Sequence, residues 1–167
     1  MLTLFPSPSA SEINFSFKNG DPSVYSDLFK IFNDTMPGLD AKNISGLGIQ
    51  WLTQPSAVSN GTNAFNQAPN VTDNVIVDIV AAWNNKADDV WMDNYLTGLM
   101  DAQVAYLKSK NLHIPFTYYN YGGKKQDPIG SYGQNGSMKK QLQAVSRKYD
   151  PKGIFQTQVP GGFKLFK

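Results

Sequence analysis

Apolar and polar positions alternate along three stretches of the chain, and this pattern predicts three β-strands. Residues 12–18 alternate strictly, as expected for a strand that buries one face. A second alternation runs from Leu47 to Trp51 and ends before Pro55. Residues 75–83 are apolar on both sides, so we expect this strand to lie at the centre of a sheet with both faces covered.

Apolar residues at intervals of three and four predict three helices. The first begins at Asp21-Pro22, a pair that suits the N-cap and the first turn of a helix. The second covers residues 87–110, and its inward side chains are predicted to be Met92, Tyr95, Leu99, Ala102 and Tyr106. The third covers residues 137–149, with Met138, Leu142, Val145 and Tyr149 inward.

The remaining segments complete the predicted order of elements. Residues 56–72 are rich in Ser, Asn, Gly and Thr and are predicted to form a loop. Residues 114–121 are predicted to be extended, and a short extended segment is expected from Ile154. The order β-α-β-β-α-β-α predicts an α+β fold, with a small, mostly antiparallel sheet and helices packed on one face. We expect a single domain over residues 1–167.

The composition excludes several kinds of chemistry. The chain has no Cys and one His, which excludes disulfides, thiolate metal sites, cysteine nucleophiles and His-rich metal centres. It has no run of about 18 apolar residues, so we expect no membrane span. Six N-x-S/T sequons hint at a secreted ancestry, whereas the lack of a visible signal peptide favours a cytoplasmic location.

Positive charge is concentrated in the last part of the sequence. Residues 1–123 contain 6 Lys and 11 acidic residues, whereas residues 124–167 contain 8 Lys and one Arg against two acidic residues. Such a basic segment can attract nucleic acid or a phosphate group. It can equally be the solvated face of a helix.

The predicted strands carry the first candidate site residues. Asp78 interrupts an otherwise apolar strand, and burial of a carboxylate raises its pKa towards acid–base use. The alternative is a side chain at the rim of the sheet beside a lysine. Gln50, Trp51 and Trp83 can line a pocket for a substrate, although core packing is the other interpretation of the two tryptophans.

A cluster of aromatic and amide side chains gives the second group of candidates. Tyr118, Tyr119, Asn120 and Tyr121 are consecutive, so three phenols and an amide lie in one short segment. These groups can hydrogen-bond a carbonyl of a small molecule or a flavin ring and pack against its flat face. The alternative is the end of a strand whose aromatic side chains fill the core. The sequence contains no Walker motif, no GxGxxG and no GxSxG.

Several short motifs in the last third of the sequence occur together in one known family. They are Tyr119-x-Tyr121 around Asn120, Gln126-Asp127-Pro128-Ile129, Ser131-Tyr132-Gly133, Lys148-Tyr149-Asp150-Pro151, Ile154-Phe155-Gln156 and Pro160-Gly161-Gly162-Phe163-Lys164-Leu165. In this order they resemble the C-terminal, substrate-domain region of berberine-bridge-enzyme-like FAD-linked oxidoreductases of the fungal kind. The resemblance covers residues 11–167 and is strongest over residues 114–167.

The resemblance implies a function in specialised, natural-product metabolism. In that family a flavin-binding domain comes first and attaches FAD covalently, and none of its sequence is present in these 167 residues. We therefore expect no cofactor and an enzyme that folds a hydrophobic small molecule for cyclisation, a pericyclic reaction of the Diels–Alder type or isomerisation. One alternative is a part of an FAD-dependent oxidoreductase that needs its flavin domain in trans. Another is a non-catalytic module that binds a small molecule.

The predicted site follows from these hypotheses. The residues assigned to catalysis are Asp78, Tyr119, Asn120 and Tyr121, and those assigned to substrate binding are Gln50, Trp51, Trp83 and Tyr118. We expect a hydrophobic small molecule as the binding partner, with no nucleic acid, no metal and no membrane. Self-association is expected through the apolar surface that a flavin domain covers in the family.

Overall fold

A computed structural model of the protein describes residues 9–42, 44–54, 73–133 and 136–166. The loop predicted over residues 56–72 lies outside these ranges. Within them, the chain forms a four-stranded sheet and five α-helices. The prediction of an α+β fold with an antiparallel sheet is confirmed.

The sheet has the strand order β2-β3-β1-β4, and every neighbouring pair is antiparallel. The strands are β1 (Ser9–Lys18), β2 (Ile44–Gln54), β3 (Asn74–Trp83) and β4 (His113–Ile114). The third predicted strand is β3, and it lies between β1 and β2 as its apolar residues on both sides indicated.

The first two helices pack on one face of the sheet, and three further helices follow in the C-terminal part. The helices are α1 (Ser23–Asp34), α2 (Asp89–Ser109), α3 (Pro128–Ser131), α4 (Ser137–Tyr149) and α5 (Ile154–Thr157). The N-cap of α1 is Pro22, one residue later than predicted, and the Asp21 side chain accepts a hydrogen bond from the Ser23 N–H (2.9 Å) just before the helix. Before α2, the Asn85 side chain accepts a hydrogen bond from the Ala87 N–H (3.2 Å) and caps a 3₁₀ turn.

The main core lies between the sheet and helices α1 and α2. Alternate residues of β1 and β3 enter it, including Phe15, Phe17 and Val77, which are buried. Trp51 of β2 packs edge-on against Phe17 and Tyr25, with ring centroids 6.3 and 5.3 Å apart. The odd-numbered residues of β1 and β3 therefore face α1 and α2, and the even-numbered residues face away from them.

Two helices bury a different set of side chains from the predicted one. The buried residues of α2 are Met92, Leu96, Leu99, Gln103 and Leu107. Tyr95 and Tyr106 lie at the border of this stripe, where the Tyr106 hydroxyl donates to the carboxylate of Asp27. In α4 the inward prediction is wrong for Val145 and Tyr149, which are 54% and 74% exposed. Only the first turns of α4 reach the sheet, through the partly buried Met138 and Leu142.

Two segments predicted to be extended have another conformation. At the first, over residues 114–121, strand pairing is limited to Ile114 and the preceding His113, because Pro115 has no N–H to continue the ladder. The segment from Ile154 is the helix α5. It forms because the Asp150 carboxylate accepts hydrogen bonds from the N–H groups of Ile154 (2.8 Å) and of the next residue, 155 (3.0 Å).

Candidate functional site

The sheet face that points away from α1 and α2 carries a row of polar side chains. In the register of the strands, Asp78 of β3 lies directly opposite Asn14 of β1 on one side and Gln50 of β2 on the other. Residues paired in this way have Cβ atoms about 4.5–5.5 Å apart and share one face of the sheet. We call this surface the Asp78 face and define it by Glu12, Asn14, Gln50, Asp78 and Val80.

Asp78 is the buried carboxylate of this face. Its side chain lies in the interior, with 3% of the residue exposed, and its Oδ1 has no hydrogen-bond partner among the residues that the structure describes. Burial raises the pKa of Asp78 to about 6, and the negative charge of Glu12 adds to the shift. The alternative of a rim position beside a lysine is wrong, because the residue is buried and has no ion pair within the described ranges.

Asn14 and Gln126 connect β1 to the C-terminal segment. The Asn14 side chain accepts a hydrogen bond from the Tyr118 N–H (2.7 Å) and donates one to the Tyr118 carbonyl (3.0 Å). The Gln126 side chain accepts from the Asn14 N–H (3.1 Å) and donates to the Asn14 carbonyl (2.6 Å). Gln126 also accepts from the N–H of Gly123 (2.9 Å). Both amides thus pair with backbone groups as a neighbouring strand would.

The predicted aromatic cluster separates into two parts. Asn120 donates a hydrogen bond to the Tyr118 hydroxyl (3.1 Å), and the rings of Tyr118 and Tyr121 meet edge to face with centroids 5.3 Å apart. Tyr119 has another partner: its hydroxyl accepts a hydrogen bond from the Phe163 N–H (3.1 Å), and its ring packs edge-on against that of Phe163. Tyr119 therefore holds the C-terminal segment, whereas Tyr118, Asn120 and Tyr121 form one group next to Asn14.

Among the residues that the structure describes, the Asp78 face is covered at one end and open at the other. At the covered end, Ile76 is buried under Phe116 and Tyr132. At the open end lies a cleft of about 350 Å³, which we call the sheet cleft, and its lining includes Glu12, Val80, Gly122, Gly123 and Lys124. Because β2 has glycines at positions 46 and 48 on this face, the surface beside the cleft is flat.

The two tryptophans of the predicted site lie on the other side of the sheet. Trp51 belongs to the core described above, and Trp83 is buried with its Nε1–H donated to the Asp89 carboxylate (2.8 Å). Gln50 and Asp78 face away from that core. The expected grouping of these four residues around one substrate is therefore corrected, because the sheet separates the tryptophans from Asp78.

Three residues of the site were not predicted: Glu12, Asn14 and Gln126. The alternation of β1 puts Glu12 and Asn14 on one face, but only the pairing register shows that this is the face of Asp78. Asn14 is also the first of the six sequons, and its buried, hydrogen-bonded side chain is inaccessible to a glycan in the folded chain. Gln126 belongs to one of the motifs quoted above, but its role could not be predicted, because its side chain bonds to a residue 112 positions away.

The described part of the chain also bears on metal binding, on His113 and on membrane insertion. No group of three or more potential metal-binding side chains occurs there. His113 has a lowered pKa, caused by burial and then by the charge of Lys108. No helix within the described ranges is both long and apolar enough to cross a bilayer.

Known proteins similar to this chain are enzymes of fungi. The FAD-dependent monooxygenase drtC of Aspergillus calidoustus is 33% identical over 165 residues, which cover 93% of this chain and 30% of that protein. The bifunctional solanapyrone synthase of Alternaria solani is 33% identical over 150 residues, 87% of this chain and 28% of the synthase. The FAD-dependent monooxygenase tpcD of Cochliobolus heterostrophus is 35% identical over 122 residues, 71% of this chain and 23% of that enzyme.

The chain is similar to one part of each of these enzymes. It spans 30% or less of the length of all three relatives. The expected relation to FAD-linked enzymes is therefore confirmed at this coarse level, whereas the berberine-bridge grouping stays a prediction. No family model matches the chain, and no solved structure matches it either.

The relatives named as FAD-dependent raise the question of whether a flavin fits here. A Cβ added at Gly46 would meet no atom within 4 Å, and one at Gly48 would meet only Val80, at 3.6 Å. Among the described residues, Gly46 and Gly48 therefore leave a flat strip beside Val80, on which a planar ring can lie. The Asp78 face thus fits the ring of a flavin or of a substrate.

Proposed function

We propose that the chain forms the substrate side of an enzyme that isomerises or cyclises an apolar small molecule, with Asp78 as its general acid–base. The observation that carries this proposal is the buried Asp78 carboxyl, which has an unpartnered oxygen and lies on the same sheet face as Glu12 and Val80 of the sheet cleft. A carboxyl whose pKa is about 6 is mostly ionised at neutral pH and still returns its proton readily.

The proposed step moves one proton and needs no oxidant. The Asp78 carboxylate removes a proton from a carbon next to a carbonyl, and the electron pair of that C–H bond moves onto the carbonyl oxygen. The same carboxyl then returns the proton to a different carbon, which completes an isomerisation. In a cyclisation, the electron-rich carbon adds to a second carbonyl group of the same molecule. The C=O π bond that is attacked breaks, its electron pair moves onto that oxygen, and the Asp78 carboxyl returns the proton there.

The other residues of the face are proposed to orient the substrate. Gln50 is exposed beside Asp78, and its amide can donate a hydrogen bond to a carbonyl on which negative charge develops. Tyr118, Asn120 and Tyr121 form a polar and aromatic rim beyond Asn14. We assign Tyr119 to holding the C-terminal segment, because its hydroxyl is bound to the Phe163 backbone.

Deuterium exchange tests the acid–base role even while the natural substrate is unidentified. The chain is incubated in D₂O with a panel of apolar ketones and esters that have acidic C–H bonds, and deuterium uptake is followed by mass spectrometry. We expect the protein to accelerate uptake for part of the panel, with a rate that rises through pH 6. Asp78→Asn should abolish the acceleration, whereas Asp101→Asn, at an exposed site on α2, should retain it.

Equal exchange by the wild type and Asp78→Asn would contradict the proposal. Ligand binding without any exchange would favour the third function, a non-catalytic binding module. Binding is measured in parallel by the shift of the thermal unfolding midpoint with each compound.

The second candidate is the substrate side of a flavin-dependent oxidoreductase, and the similarity to FAD-dependent monooxygenases favours it. The ring would lie on the flat strip of Gly46, Gly48 and Val80, and a bound flavin would supply hydride or oxygen chemistry. Titration of the chain with FAD, followed by flavin absorbance and fluorescence, separates the two candidates. Saturable binding that Gly48→Leu abolishes supports the second, and a chain that ignores FAD but exchanges protons supports the first.

A further inference from the structure

Three lysines from separate segments line one cleft next to the sheet cleft. Lys124 follows the aromatic segment, Lys139 belongs to the first turn of α4, and Lys164 lies near the end of the chain. The cleft has a volume of about 520 Å³, and its lining also includes Asp127 and Phe163. We call it the lysine cleft.

Two of the three ammonium groups are held in place by the protein. Lys164 donates hydrogen bonds to the carbonyls of Phe155 (3.3 Å) and Val159 (2.8 Å). Lys139 pairs with the Asp127 carboxylate at 3.3 Å. Lys124 makes no hydrogen bond or ion pair with the other residues that the structure describes. Each lysine therefore keeps at least one N–H available to a ligand.

The charge of the lysine cleft favours an anion. Three ammonium groups face one carboxylate, and the Asp127 carboxylate already accepts a hydrogen bond from the Gly130 N–H (2.9 Å). A concave surface with an excess of one charge attracts the opposite charge more strongly than a flat one. Ammonium groups that line one cleft bind phosphate oxygens well, because each contact is a charge-assisted hydrogen bond.

An aromatic wall stands beside these charges. The Phe163 ring packs edge-on against Tyr119, with centroids 5.3 Å apart. It also lies against Gly122, where an added Cβ would be 2.7 Å from the ring. The ring is therefore fixed, and its position next to the lysines suits a ligand that joins an anion to an apolar or planar group.

We propose that the lysine cleft binds the phosphate or pyrophosphate group of a small molecule. Gly122 and Lys124 line both the lysine cleft and the sheet cleft, so a molecule held by its phosphate can extend towards the Asp78 face. The proposal does not depend on acid–base chemistry at Asp78. The basic C-terminal segment would then serve to attract a phosphate group, through Lys124, Lys139 and Lys164.

Calorimetric titration of the whole chain with inorganic pyrophosphate, ADP and adenosine tests this proposal. We expect pyrophosphate and ADP to bind at one site, with affinities that fall as salt is added, and adenosine to bind far more weakly. Tighter binding of ADP than of pyrophosphate would indicate a nucleotide or a similar ring-bearing phosphate. Equal binding would indicate that the phosphate alone is recognised.

Paired lysine variants provide a control with the same net charge. Lys124→Gln combined with Lys139→Gln removes two ammonium groups from the cleft. Lys125→Gln combined with Lys140→Gln removes their sequence neighbours, of which the first is hydrogen-bonded to Asn94 and the second is exposed. Because a hydrogen bond to a charged group is worth roughly tenfold in affinity, we expect about a hundredfold loss for the cleft pair and less than about threefold for the control pair.

Three results would overturn the proposal. The first is an equal loss in both double variants, which indicates non-specific attraction to the basic segment. The second is the absence of saturable binding of pyrophosphate or ADP up to about 10 mM, because weaker binding than this does not indicate a specific site. The third is pyrophosphate-induced amide chemical shift changes in the wild type that avoid Gly122, Lys139 and Phe163. This last measurement is independent of whether a variant folds.

Discussion

Asp78→Asn is expected to change how the stability of the fold depends on pH. In the folded chain, burial holds the pKa of this carboxyl at about 6, whereas the ordinary value is 3.8. One pKa unit corresponds to about 1.4 kcal/mol, so the difference amounts to about 3 kcal/mol. The folded state binds the proton more tightly, and the contribution of Asp78 is therefore present below pH 4 and lost as the pH rises through 6.

Chemical unfolding at several pH values measures this contribution. The free energy of unfolding of the wild type, Asp78→Asn and Asp101→Asn is determined in urea at pH 4, 5, 6, 7 and 8, with fluorescence of the buried Trp83 as a signal. Between pH 4 and pH 8, Asp78→Asn should gain stability relative to the wild type by about 2.5 kcal/mol, because part of the contribution is already lost at pH 4. Asp101→Asn, at an exposed position, should follow the wild type at every pH.

Taking the difference in free energy of unfolding between each variant and the wild type removes the effects of other carboxylates. Asp21 and Asp89 have lowered pKa values because they accept hydrogen bonds, so they stabilise the fold at high pH and lose that effect in acid. They are the same in all three proteins and cancel. A difference between Asp78→Asn and the wild type that is constant with pH would refute the reasoning. So would an Asp78 carboxyl that titrates near pH 4 in a carbon NMR experiment.

Three further predictions concern the packing of the C-terminal segment, and urea unfolding checks each of them. Gln126→Ala leaves backbone groups of β1 unpaired and should cost about 2 kcal/mol or more, whereas Gln141→Ala on the exposed face of α4 should cost almost nothing. Gly123→Ala would put a Cβ 2.5 Å from the Glu12 carbonyl and should destabilise by about 1–3 kcal/mol, whereas Gly98→Ala, with nothing within 4 Å in α2, should stabilise by up to about 1 kcal/mol. Val145→Ser should stay within about 0.5 kcal/mol of the wild type, and a large loss would contradict the exposed position of this residue.

The elements of this fold were predictable because their signals are local. The bounds of α4 agree with the prediction of residues 137–149, since Asp150-Pro151 ends the helical pattern at a fixed point. The faces of helices were less predictable. Helix α4 is amphipathic, but the sequence pattern does not reveal which surface covers its apolar stripe. Among the described residues, Val145 and Tyr149 of this stripe remain exposed.

For the site, too, the features set by local sequence were predictable and those set by long-range contacts were not. The period of two in a strand already separates Gln50 from Trp51 and Asp78 from Trp83, so the sequence could have assigned these pairs to opposite faces. It could not show that Asn14 lies beside Asp78, because the pairing register depends on contacts across the whole sheet. Burial of Asp78 follows from the same register.

The contacts of Asn14 and Gln126 make the C-terminal segment a part of the site and not an appendage. Four hydrogen bonds between these two amides and distant backbone groups attach the segment to β1, across 104 or 112 positions of sequence. The same segment supplies the rim of the Asp78 face and, through Gly122 and Lys124, a wall shared by both clefts. Loosening it by Gln126→Ala should therefore weaken pyrophosphate binding and proton exchange together, whereas substitution of Asp78 should affect proton exchange alone.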